Sequence, residues 1–401
     1  MGFDGSRAFL KERTGTENYS YQLLKALAKI DKKNKYIVYL RTQGLTLQGW
    51  PKNLKFVTIE FPKLWTQIGL AKQTFQDRLD VLFIPAHTSP LIHRPGLKTV
   101  VTVHDLGAEY LPKMHQLKQR VYLRWITKYQ LKSATKLIAV SKATKEDLIK
   151  KVGINPKKIE VVYEGYNNNL FKSVKDDALS KILRYYDIEK GKYFLFVGTV
   201  QPRKNLERII RAFHKFLTID NGKWKIGVEG RRSKIDKKNI LSSIIDPQNT
   251  TVDPQSSTVK LVIAGSRGWL SDEIYKLPKK LRIENQVKFL GHVDDKDLLA
   301  LYSGAIALTF PSLFEGFGLP ILEAQACSCP VITSNISSMP EVAGKGAILV
   351  DPYSIDDIVK GIKRLMINDE RLRIIKLGFE NIKRFSWEKC AMETLAVLES
   401  L

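Results

Sequence analysis

The sequence has few cysteines and no long apolar run. Only three of its 401 residues are cysteines, Cys327, Cys329 and Cys390, and no pair of them has the CxxC spacing of a metal or redox motif. This count argues against a disulfide framework or a structural zinc site. The absence of an apolar leader and of any run of about 18 to 20 apolar residues argues against a signal peptide and a membrane-spanning helix. We therefore expect a cytoplasmic protein, with any membrane contact peripheral on the inner face of the cell membrane.

Acidic residues are also scarce relative to basic ones. The chain has 65 Lys and Arg against 41 Asp and Glu, a formal net charge of +24. This excess indicates an anionic partner, and phosphorylated small molecules, anionic lipids and nucleic acids all qualify. A basic nucleic-acid-binding protein stays open as an alternative. Because no zinc-finger spacing or aromatic-basic recognition motif is present, we expect no nucleic acid partner.

What the sequence does contain is a repeated alternation of apolar strands and amphipathic helices. Continuous β-branched runs such as Tyr36–Leu40, Val81–Ile84 and Thr99–Val103 are typical of strands buried on both faces. A second series starts at Tyr193 and includes Val259–Gly265. The alternation predicts an α/β fold of two Rossmann-like, doubly wound domains with parallel sheets facing across a cleft.

The composition places the boundaries between these predicted parts. We expect an N-terminal domain over residues 1–170, a polar linker over 171–192 and a C-terminal domain over 193–384. A Lys-, Ser- and Asn-rich insertion of about residues 231–257 interrupts the second domain. The apolar spacing of residues 385–401 predicts a final helix.

The stretch "FEGFGLPILE" follows a predicted strand of the second domain and carries the strongest functional signal. Gly316 and Gly318 allow a ligand to approach the backbone, and Pro320 suits the first turn of the next helix. The amino end of that helix favours an anion, while Glu315 and Glu323 are suited to accept hydrogen bonds from sugar hydroxyls. The pattern therefore predicts a site for a phosphorylated sugar that carries a nucleoside.

The stretch "FVGTVQPRKNLERII" predicts a second part of the same site. A strand ends at Gly198 and Thr199, and Arg203 and Lys204 follow where the next helix begins. Arginine offers two donors to phosphate oxygens and lysine a point charge. We expect the two cations to stabilise a departing diphosphate.

Three residues of the first domain are weaker candidates. His104 follows the strand "TVVTV", and Gly15 and Thr16 precede a helix with an apolar stripe. A single histidine is more often a structural hydrogen-bonding residue, and Gly15 is equally suited to closing a loop.

Two further patterns have a simpler explanation. Asp295 and Asp297 form a DxD, a pattern that some transferases use to hold a metal ion, but here they open a helix. We interpret them as capping residues and assign no metal site. Residues 113–136 form a basic amphipathic segment that suits an anionic membrane surface, although an ordinary half-buried helix is favoured.

Taken together, "EGFGLPILE", "GTVQPRKNL", "VIAG", "LGHV" and "VHDL" resemble the group 1 (family four) glycosyltransferases of the GT-B fold, in order and spacing over nearly the whole chain. The resemblance implies that the last helix crosses back to the N-terminal, acceptor-side domain and that the C-terminal domain binds the donor. It implies transfer with retention of configuration, no required metal and no cofactor, since the nucleotide-sugar is a substrate.

The resemblance also implies roles for individual residues. Glu323 would hold the ribose hydroxyls, Glu315 the hydroxyls of the transferred sugar, and Arg203 and Lys204 the diphosphate. His104 would lie near the donor sugar. The remaining donor-binding set that it implies is Gly15, Thr16, Gly198, Thr199, Val293, Gly316, Phe317, Gly318 and Leu319.

The implied reaction moves a hexosyl group, with mannosyl among the candidates, from a GDP- or UDP-linked sugar to a glycan or lipid-linked acceptor. We expect front-face attack and a role in cell-surface polysaccharide biosynthesis, with an anionic membrane surface as a further partner. Alternatives that keep the fold are a sugar-nucleotide epimerase, a phosphorylase and a sugar-nucleotide binder without turnover. Many members of the family begin with a longer apolar strand than "MGFDGSRAF", so we also expect a clipped or late-starting N-terminus.

Overall fold

The computed structural model describes residues 1–10, 15–41, 48–61, 63–86, 88–106, 128–172, 176–219 and 259–401. Within them the chain divides into two compact units. The first comprises Met1–Tyr166 and Phe385–Leu401, and the second comprises Asn167–Arg384. No helix among the described residues is long and apolar enough to cross a membrane.

The first unit contains a parallel sheet of seven strands in its described part. Its spatial order is β3-β2-β1-β4-β5-β6-β7, so the chain first winds to one side of β1 and then to the other. The strands are β1 (Gly2–Asp4), β2 (Tyr36–Leu40), β3 (Leu54–Thr58), β4 (Val81–Ile84), β5 (Lys98–Val103), β6 (Lys136–Ala139) and β7 (Ile159–Val161). The α-helices are α1 (Gly15–Ile30), α2 (Ala71–Gln76), α3 (Lys142–Asp147) and, from the end of the chain, α12 (Trp387–Glu399).

Helices α1 and α12 pack against each other in this unit. Leu23 and Leu27 of the predicted apolar stripe are buried, and Trp387 and Ala391 of α12 join the same core. The approach is so close that a Cβ atom on Gly165 would lie 2.2 Å from the backbone nitrogen of Trp387. Glycine at this position therefore lets the chain that leads into α12 reach the core of the first unit.

The described residues of the second unit form a parallel sheet of six strands, ordered β10-β9-β8-β11-β12-β13. Its strands are β8 (Tyr193–Val197), β9 (Lys260–Ala264), β10 (Val287–Gly291), β11 (Ala307–Phe310), β12 (Val331–Ser334) and β13 (Ile348–Val350). Its helices are α4 (Asp176–Tyr185), α5 (Leu206–Ile219), α6 (Asp272–Lys280), α7 (Asp295–Gly304), α8 (Leu319–Ala326), α9 (Met339–Ala343), α10 (Ile355–Leu365) and α11 (Asn368–Ile382). The sheet order reverses between β8 and β11, so the loops that follow these two strands are neighbours.

The fold confirms the predicted α/β class and the two doubly wound parallel sheets. It differs from the sequence prediction in detail. The segment predicted as a linker, 171–192, contains helix α4, which packs on α7 of the second unit. The strand Gly2–Asp4, which the sequence pattern did not predict, pairs with β2 and β4 in the middle of its sheet.

Two predicted features cannot be compared with the structure. The insertion of residues 231–257 lies outside the described residues, as does most of the basic amphipathic segment of residues 113–136.

Candidate active site

The loop after β11 places Glu315 in a buried position between two cations. Its Oε1 accepts a hydrogen bond from Lys204 Nζ at 2.6 Å, and its Oε2 accepts one from Arg203 Nη1 at 2.8 Å. The side chains of Glu315 and Lys204 are 9% and 10% exposed, and that of Arg203 is 23% exposed. The two stretches singled out by sequence thus meet at one point of the second unit.

The charge state of Glu315 follows from this pairing. Burial is the largest single influence and would raise its pKa, but the positive charges of Lys204 and Arg203 act the other way, and the net pKa is lowered. The group is therefore a carboxylate near neutral pH. Each oxygen of an ionised carboxylate has more than one acceptor position, so Glu315 can accept a hydrogen bond from a hydroxyl in addition to its bond from a cation.

The turn that carries the two cations is fixed by Asn205. A short 3₁₀ turn, Pro202–Lys204, is followed by Asn205 with φ of 64° in the left-handed region. The buried Asn205 amide donates to the carbonyl oxygens of Pro311 at 2.9 Å and Pro352 at 2.7 Å. Asparagine tolerates this backbone conformation better than most residues. Through its two side-chain hydrogen bonds, Asn205 links the turn after β8 to the segments that follow β11 and β13.

Two serines after β12 hold the Glu315 loop from another side. Ser337 Oγ donates to the carbonyl oxygen of Glu315 at 2.7 Å. Ser338 Oγ is buried and lies 2.9 Å from that same oxygen and 2.7 Å from the carbonyl oxygen of Phe317. These contacts fix the backbone of the loop just before helix α8.

The start of α8 has the predicted geometry. Gly318 precedes the helix with φ of 117°, which favours glycine, and Pro320 lies in the first turn. Gly316 and Phe317 are buried in the loop before it, and Leu319 is the first helical residue. Pro320 has no N–H and the Ile321 N–H donates to the Gly318 carbonyl oxygen at 3.0 Å, so anion binding at this first turn would rely on the backbone amides around Leu319.

Glu323 lies one turn further along α8 and has a different environment. Its Oε2 accepts a hydrogen bond from the buried Tyr302 hydroxyl of α7 at 2.9 Å. Burial raises the pKa of Glu323 to about 7; the Tyr302 hydrogen bond opposes this effect and Asp295 adds to it. The two glutamates of the "EGFGLPILE" stretch therefore differ in charge behaviour near neutral pH.

The other predicted residues of the second unit lie at the carboxyl edge of its sheet. Gly198 follows β8 with φ of 143°, and Thr199 after it is exposed. A Cβ atom on Gly198 would make only ordinary contacts, 3.8 Å from Lys204 Nζ, so the backbone conformation and not a lack of space favours glycine here. Val293 is buried between β10 and α7.

The predicted residues of the first unit form a separate group. His104, 8% exposed, follows β5. Its Nε2 lies 2.8 Å from the Pro85 carbonyl oxygen and its Nδ1 lies 3.1 Å from Glu164 Oε1. Burial is the largest single influence and would lower the pKa of His104. The hydrogen bond and negative charge of Glu164, with the hydrogen bond to the Pro85 carbonyl oxygen, together outweigh it, so the net pKa is raised. Two acceptors at two ring nitrogens favour the imidazolium form.

Gly15 and Thr16 occupy the first turn of α1, where the Thr16 carbonyl oxygen accepts from Ser20 Oγ at 2.8 Å. Glu17, which follows them, pairs with Arg7 at 2.9 Å. Arg7, from the segment that precedes α1, thus reaches the start of this helix.

The DxD does not cap its helix by side-chain hydrogen bonds in the predicted way. The N-cap of α7 is Asp294, whose side chain makes no cap hydrogen bond, and Asp297 instead accepts from the Tyr186 hydroxyl at 2.9 Å. Asp295 and Asp297 still lie in the first turn, where acidic residues interact favourably with the helix dipole. In the described part of the chain, no cluster of three His, Cys, Asp or Glu side chains could hold a metal ion.

Sequence reasoning missed the residues that position the others. Asn205, Ser337, Ser338 and Tyr302 were not predicted. Asn205 directly follows the basic pair, and an asparagine at the entry to a helix is a recognisable signal for a left-handed turn. Tyr302 lies seven positions after Asp295 and therefore on the same face of α7. This spacing is a signal that both residues contact the same neighbouring element.

Comparison with known families covers almost the whole chain. The sequence model described as "Glycosyl transferases group 1" matches residues 180–379, and the one described as "Glycosyltransferase Family 4" matches residues 13–170. The chain is 27% identical over 299 residues to O-antigen chain mannosyltransferase B of Escherichia coli, covering 74% of this chain and 69% of that protein. It is 29% identical over 303 residues to O-antigen chain mannosyltransferase RfbU of Salmonella typhimurium, with the same coverage of each.

Solved structures have the same fold at lower identity. Sucrose-phosphate synthase from Thermosynechococcus elongatus superposes with a TM-score of 0.71 at 17% identity, covering 100% of this chain and 98% of that one. Anabaena HepE in complex with UDP-glucose gives a TM-score of 0.69 at 18% identity, covering 100% and 99%. WaaG, a glycosyltransferase of lipopolysaccharide biosynthesis, gives 0.67 at 14% identity, covering 99% and 98%. These matches establish the two-sheet architecture of the chain.

Proposed function

Because this chain belongs to the group 1 glycosyltransferases and is therefore a transferase enzyme, we propose that it moves a hexosyl group from a nucleotide diphosphate sugar to a glycan or lipid-linked acceptor. The observation that carries the proposal is the buried Glu315 held between Arg203 and Lys204 beside the start of α8. This arrangement offers positive charge for a diphosphate and a carboxylate for sugar hydroxyls within one site.

The chemical step places negative charge on the leaving nucleoside diphosphate as the glycosidic bond to its phosphate oxygen breaks. Arg203, Lys204 and the N–H groups at the start of α8 would stabilise that charge without rearrangement, since their positions are already fixed. A donor bound there would share the two cations with Glu315. The acceptor oxygen bonds to the anomeric carbon and loses its proton to the leaving phosphate.

In this scheme Glu315 holds hydroxyls of the transferred sugar and Glu323 holds the ribose hydroxyls, with the backbone near Val293 at the base. Gly198, Thr199 and residues 316–319 contribute close backbone approach and amide donors. For His104, Gly15 and Thr16 we propose contacts with the donor sugar and with the diphosphate or acceptor. Each of these roles is a proposal that single substitutions can test.

We further propose retention of configuration by front-face attack, without a metal ion. The ionic pairing of Glu315 with two cations supports this scheme, because a carboxylate engaged in that way is a poor nucleophile. Two relatives are named as O-antigen mannosyltransferases, which supports mannose as the first sugar to test and polysaccharide synthesis as the setting. A cytoplasmic enzyme attached peripherally to the membrane would fit a lipid-linked acceptor.

The test is a transfer assay with GDP-mannose, UDP-glucose and UDP-galactose, each offered with mannose oligosaccharides or a bacterial lipid extract. We expect release of the nucleoside diphosphate from one donor that depends on an acceptor and continues in excess EDTA. Nuclear magnetic resonance of the product measures the configuration of the new glycosidic bond. With retention, it should be the same as the anomeric configuration of the donor. Epimerised donor without transfer, or phosphate-dependent release of a sugar phosphate, would contradict the proposal.

A further inference from the structure

An exposed apolar face lies on the helical segment between β3 and β4 of the first unit. A π-helical turn, Trp65–Leu70, continues directly into α2. Leu64, Ile68 and Phe75 are 64%, 42% and 53% exposed, although each is a large apolar side chain. Ile68, the exposed Lys72 and Phe75 recur at spacings of four and three residues, which places them on one side of the helical segment, and Leu64 directly precedes that segment as its N-cap. We call this set of four residues the Leu64–Phe75 face.

The opposite side of the segment anchors it, so the exposure of this face is a fixed feature. Trp65 is buried and donates from Nε1 to the Ile59 carbonyl oxygen at 3.2 Å. A Cβ atom on Gly69 would lie 2.8 Å from a methyl group of Ile59, so the helix packs tightly there. Leu70 is fully buried in the same core. Rotation of the helix to hide Ile68 and Phe75 would expose these groups instead.

A neighbouring loop extends the same surface. The Gln67 side chain donates to the Ser89 carbonyl oxygen at 3.0 Å and accepts from the Leu91 backbone nitrogen at 2.9 Å. Ile92, the next residue, is 71% exposed. Gln130 donates to the same Ser89 oxygen at 2.7 Å, which brings the helical residues 128–133 alongside. The exposed Tyr129 and its neighbours therefore border the Leu64–Phe75 face.

Basic residues outnumber acidic ones around this surface, although the exposed Glu60 and Asp80 lie at the two ends of the segment. Residues 63–78 contain Lys63, Lys72 and Arg78, all exposed, against a single acid, Asp77. That carboxylate is already engaged, since its Oδ2 accepts from the Tyr39 hydroxyl at 2.7 Å and from Gln73 at 2.9 Å. The adjoining residues 88–98 and 128–136 contain no acid at all. Lys136 of the second stretch pairs with Glu160 at 2.9 Å. The surface thus combines separated apolar side chains with a border in which basic residues are in excess.

We propose that the Leu64–Phe75 face docks on an anionic phospholipid bilayer, with Ile68 and Phe75 entering the headgroup layer and the basic residues binding lipid phosphates. A helix face of this kind, apolar side chains with lysine among them, suits the interface of a membrane. Cores of protein interfaces are depleted in lysine, which disfavours a protein partner for this surface. Lys72 can extend its ammonium group to the phosphates while its stem stays among the apolar side chains.

This inference rests on the proposed function in one respect, since a lipid-linked acceptor would make membrane docking useful. Its apolar part also differs in place from the membrane prediction made from sequence, which fell on residues 113–136, and the two overlap only in the border at residues 128–136. The Leu64–Phe75 face itself was not singled out by sequence, because its apolar positions are few and widely spaced.

The experiment is vesicle flotation of the full chain. Vesicles of phosphatidylcholine alone are compared with vesicles that contain about a quarter phosphatidylglycerol, each at about 0.05 M and about 0.5 M NaCl. We expect binding to the anionic vesicles at low salt that weakens at high salt. The double variant Ile68→Ser/Phe75→Ser should lower the partition coefficient by about 100-fold, at about tenfold for each apolar side chain. Lys63→Gln/Lys72→Gln should lower it by about 30-fold at low salt, at about 1 kcal/mol for each lysine.

The matched control is Ile367→Ser, because Ile367 is 53% exposed like Phe75 but belongs to the second unit. It should leave flotation unchanged. Since all the substituted side chains are exposed, thermal melting should stay within a few degrees of the parent chain in every variant. Calorimetric titration with UDP and GDP, in the absence of vesicles, tests the proposed function separately. A negative result in one experiment therefore does not affect the interpretation of the other.

Absence of flotation by the parent chain at low salt would overturn the proposal. So would unchanged flotation of Ile68→Ser/Phe75→Ser, which would place the lipid contact elsewhere. Self-association that disappears in this double variant, without vesicle binding, would also overturn it and would assign the face to a second copy of the chain.

Discussion

Replacing Tyr302 with phenylalanine should shift the pH dependence of nucleotide binding. Tyr302 is fully buried and donates its hydroxyl to Glu323 at 2.9 Å, so Tyr302→Phe removes one hydrogen bond and keeps the packing of the ring. The pKa of Glu323 is raised to about 7, chiefly by burial, and the Tyr302 hydrogen bond opposes that rise. Removal of the hydroxyl must therefore raise the pKa further.

The size of the effect follows from the strength of such a bond. A hydrogen bond to a charged group contributes about 1.5 to 3 kcal/mol, and a change of one in pKa corresponds to about 1.4 kcal/mol. We therefore expect a pKa of about 8 or more for Glu323 in Tyr302→Phe. The other titratable groups that interact with Glu323 in the described structure are Asp295 and Cys327, and both are retained in the variant.

The sign of the change is fixed by the proposed role of Glu323. As a carboxylate it accepts hydrogen bonds from both ribose hydroxyls, whereas the protonated group accepts them less well. Nucleotide binding should therefore strengthen as the pH rises through about 7 in the parent chain. At pH 7 about half of the parent Glu323 would be ionised, against about a tenth in Tyr302→Phe, so the variant should bind about fivefold more weakly.

Isothermal titration calorimetry between about pH 6 and about pH 9.5 measures this shift. At the alkaline end the two proteins should bind nucleotide within about twofold of each other, because both are ionised. Glu323→Gln is the control, since it removes the titrating group and should bind weakly at every pH. A uniform loss of affinity across the range in Tyr302→Phe would refute the reasoning and would leave Tyr302 with a purely structural role.

Three further predictions test other contacts. Glu315→Gln should tighten binding of the bare nucleoside diphosphate several-fold, because Arg203 and Lys204 are then free to bind the diphosphate instead of Glu315. The rate of transfer should fall at least about 100-fold. Tighter binding without loss of transfer would contradict the role of Glu315. Asn205→Asp loses both amide donors to buried carbonyl oxygens and should lower the free energy of unfolding by about 2 to 3 kcal/mol in urea titrations, whereas an unchanged midpoint would show that the amide is dispensable. His104 has a raised pKa, so its stabilising effect is complete below the unfolded value of about 6.5 and is lost as the pH rises through the folded value. Glu164→Gln should lower that pKa and reduce stability mainly at acid pH, and a proton resonance titration of the His104 ring that matches the parent would argue against the Glu164 contact.

The strands that sequence predicted well are those with continuous apolar runs. Val81–Ile84 is buried at every position, as expected for a strand that is covered on both faces of its sheet. Strands missed from the sequence have weaker patterns. Gly2–Asp4 has three residues, of which two are glycine and aspartate, and it is a strand because both neighbours pair with it. Leu54–Thr58 lies at the sheet edge with one buried residue.

The site was predictable residue by residue but not as an arrangement. Arg203, Lys204 and Glu315 were each singled out because they follow strands of a parallel sheet. Their direct contact depends on β8 and β11 being neighbours at the point where the strand order reverses. Sequence order does not reveal that adjacency, since more than one hundred residues separate the two loops. The supporting contacts of Asn205 and Ser338 depend on it in the same way.

Whether the cluster around Glu315 binds the diphosphate of a donor is tested most directly by calorimetry with UDP, GDP, uridine and guanosine on the parent chain and on Lys204→Met. We expect one diphosphate to bind the parent chain at least about tenfold more tightly than its nucleoside. In Lys204→Met most of this difference should disappear, whereas nucleoside binding should be unchanged. Binding of neither diphosphate, or an equal loss of nucleoside and diphosphate affinity in the variant, would contradict it.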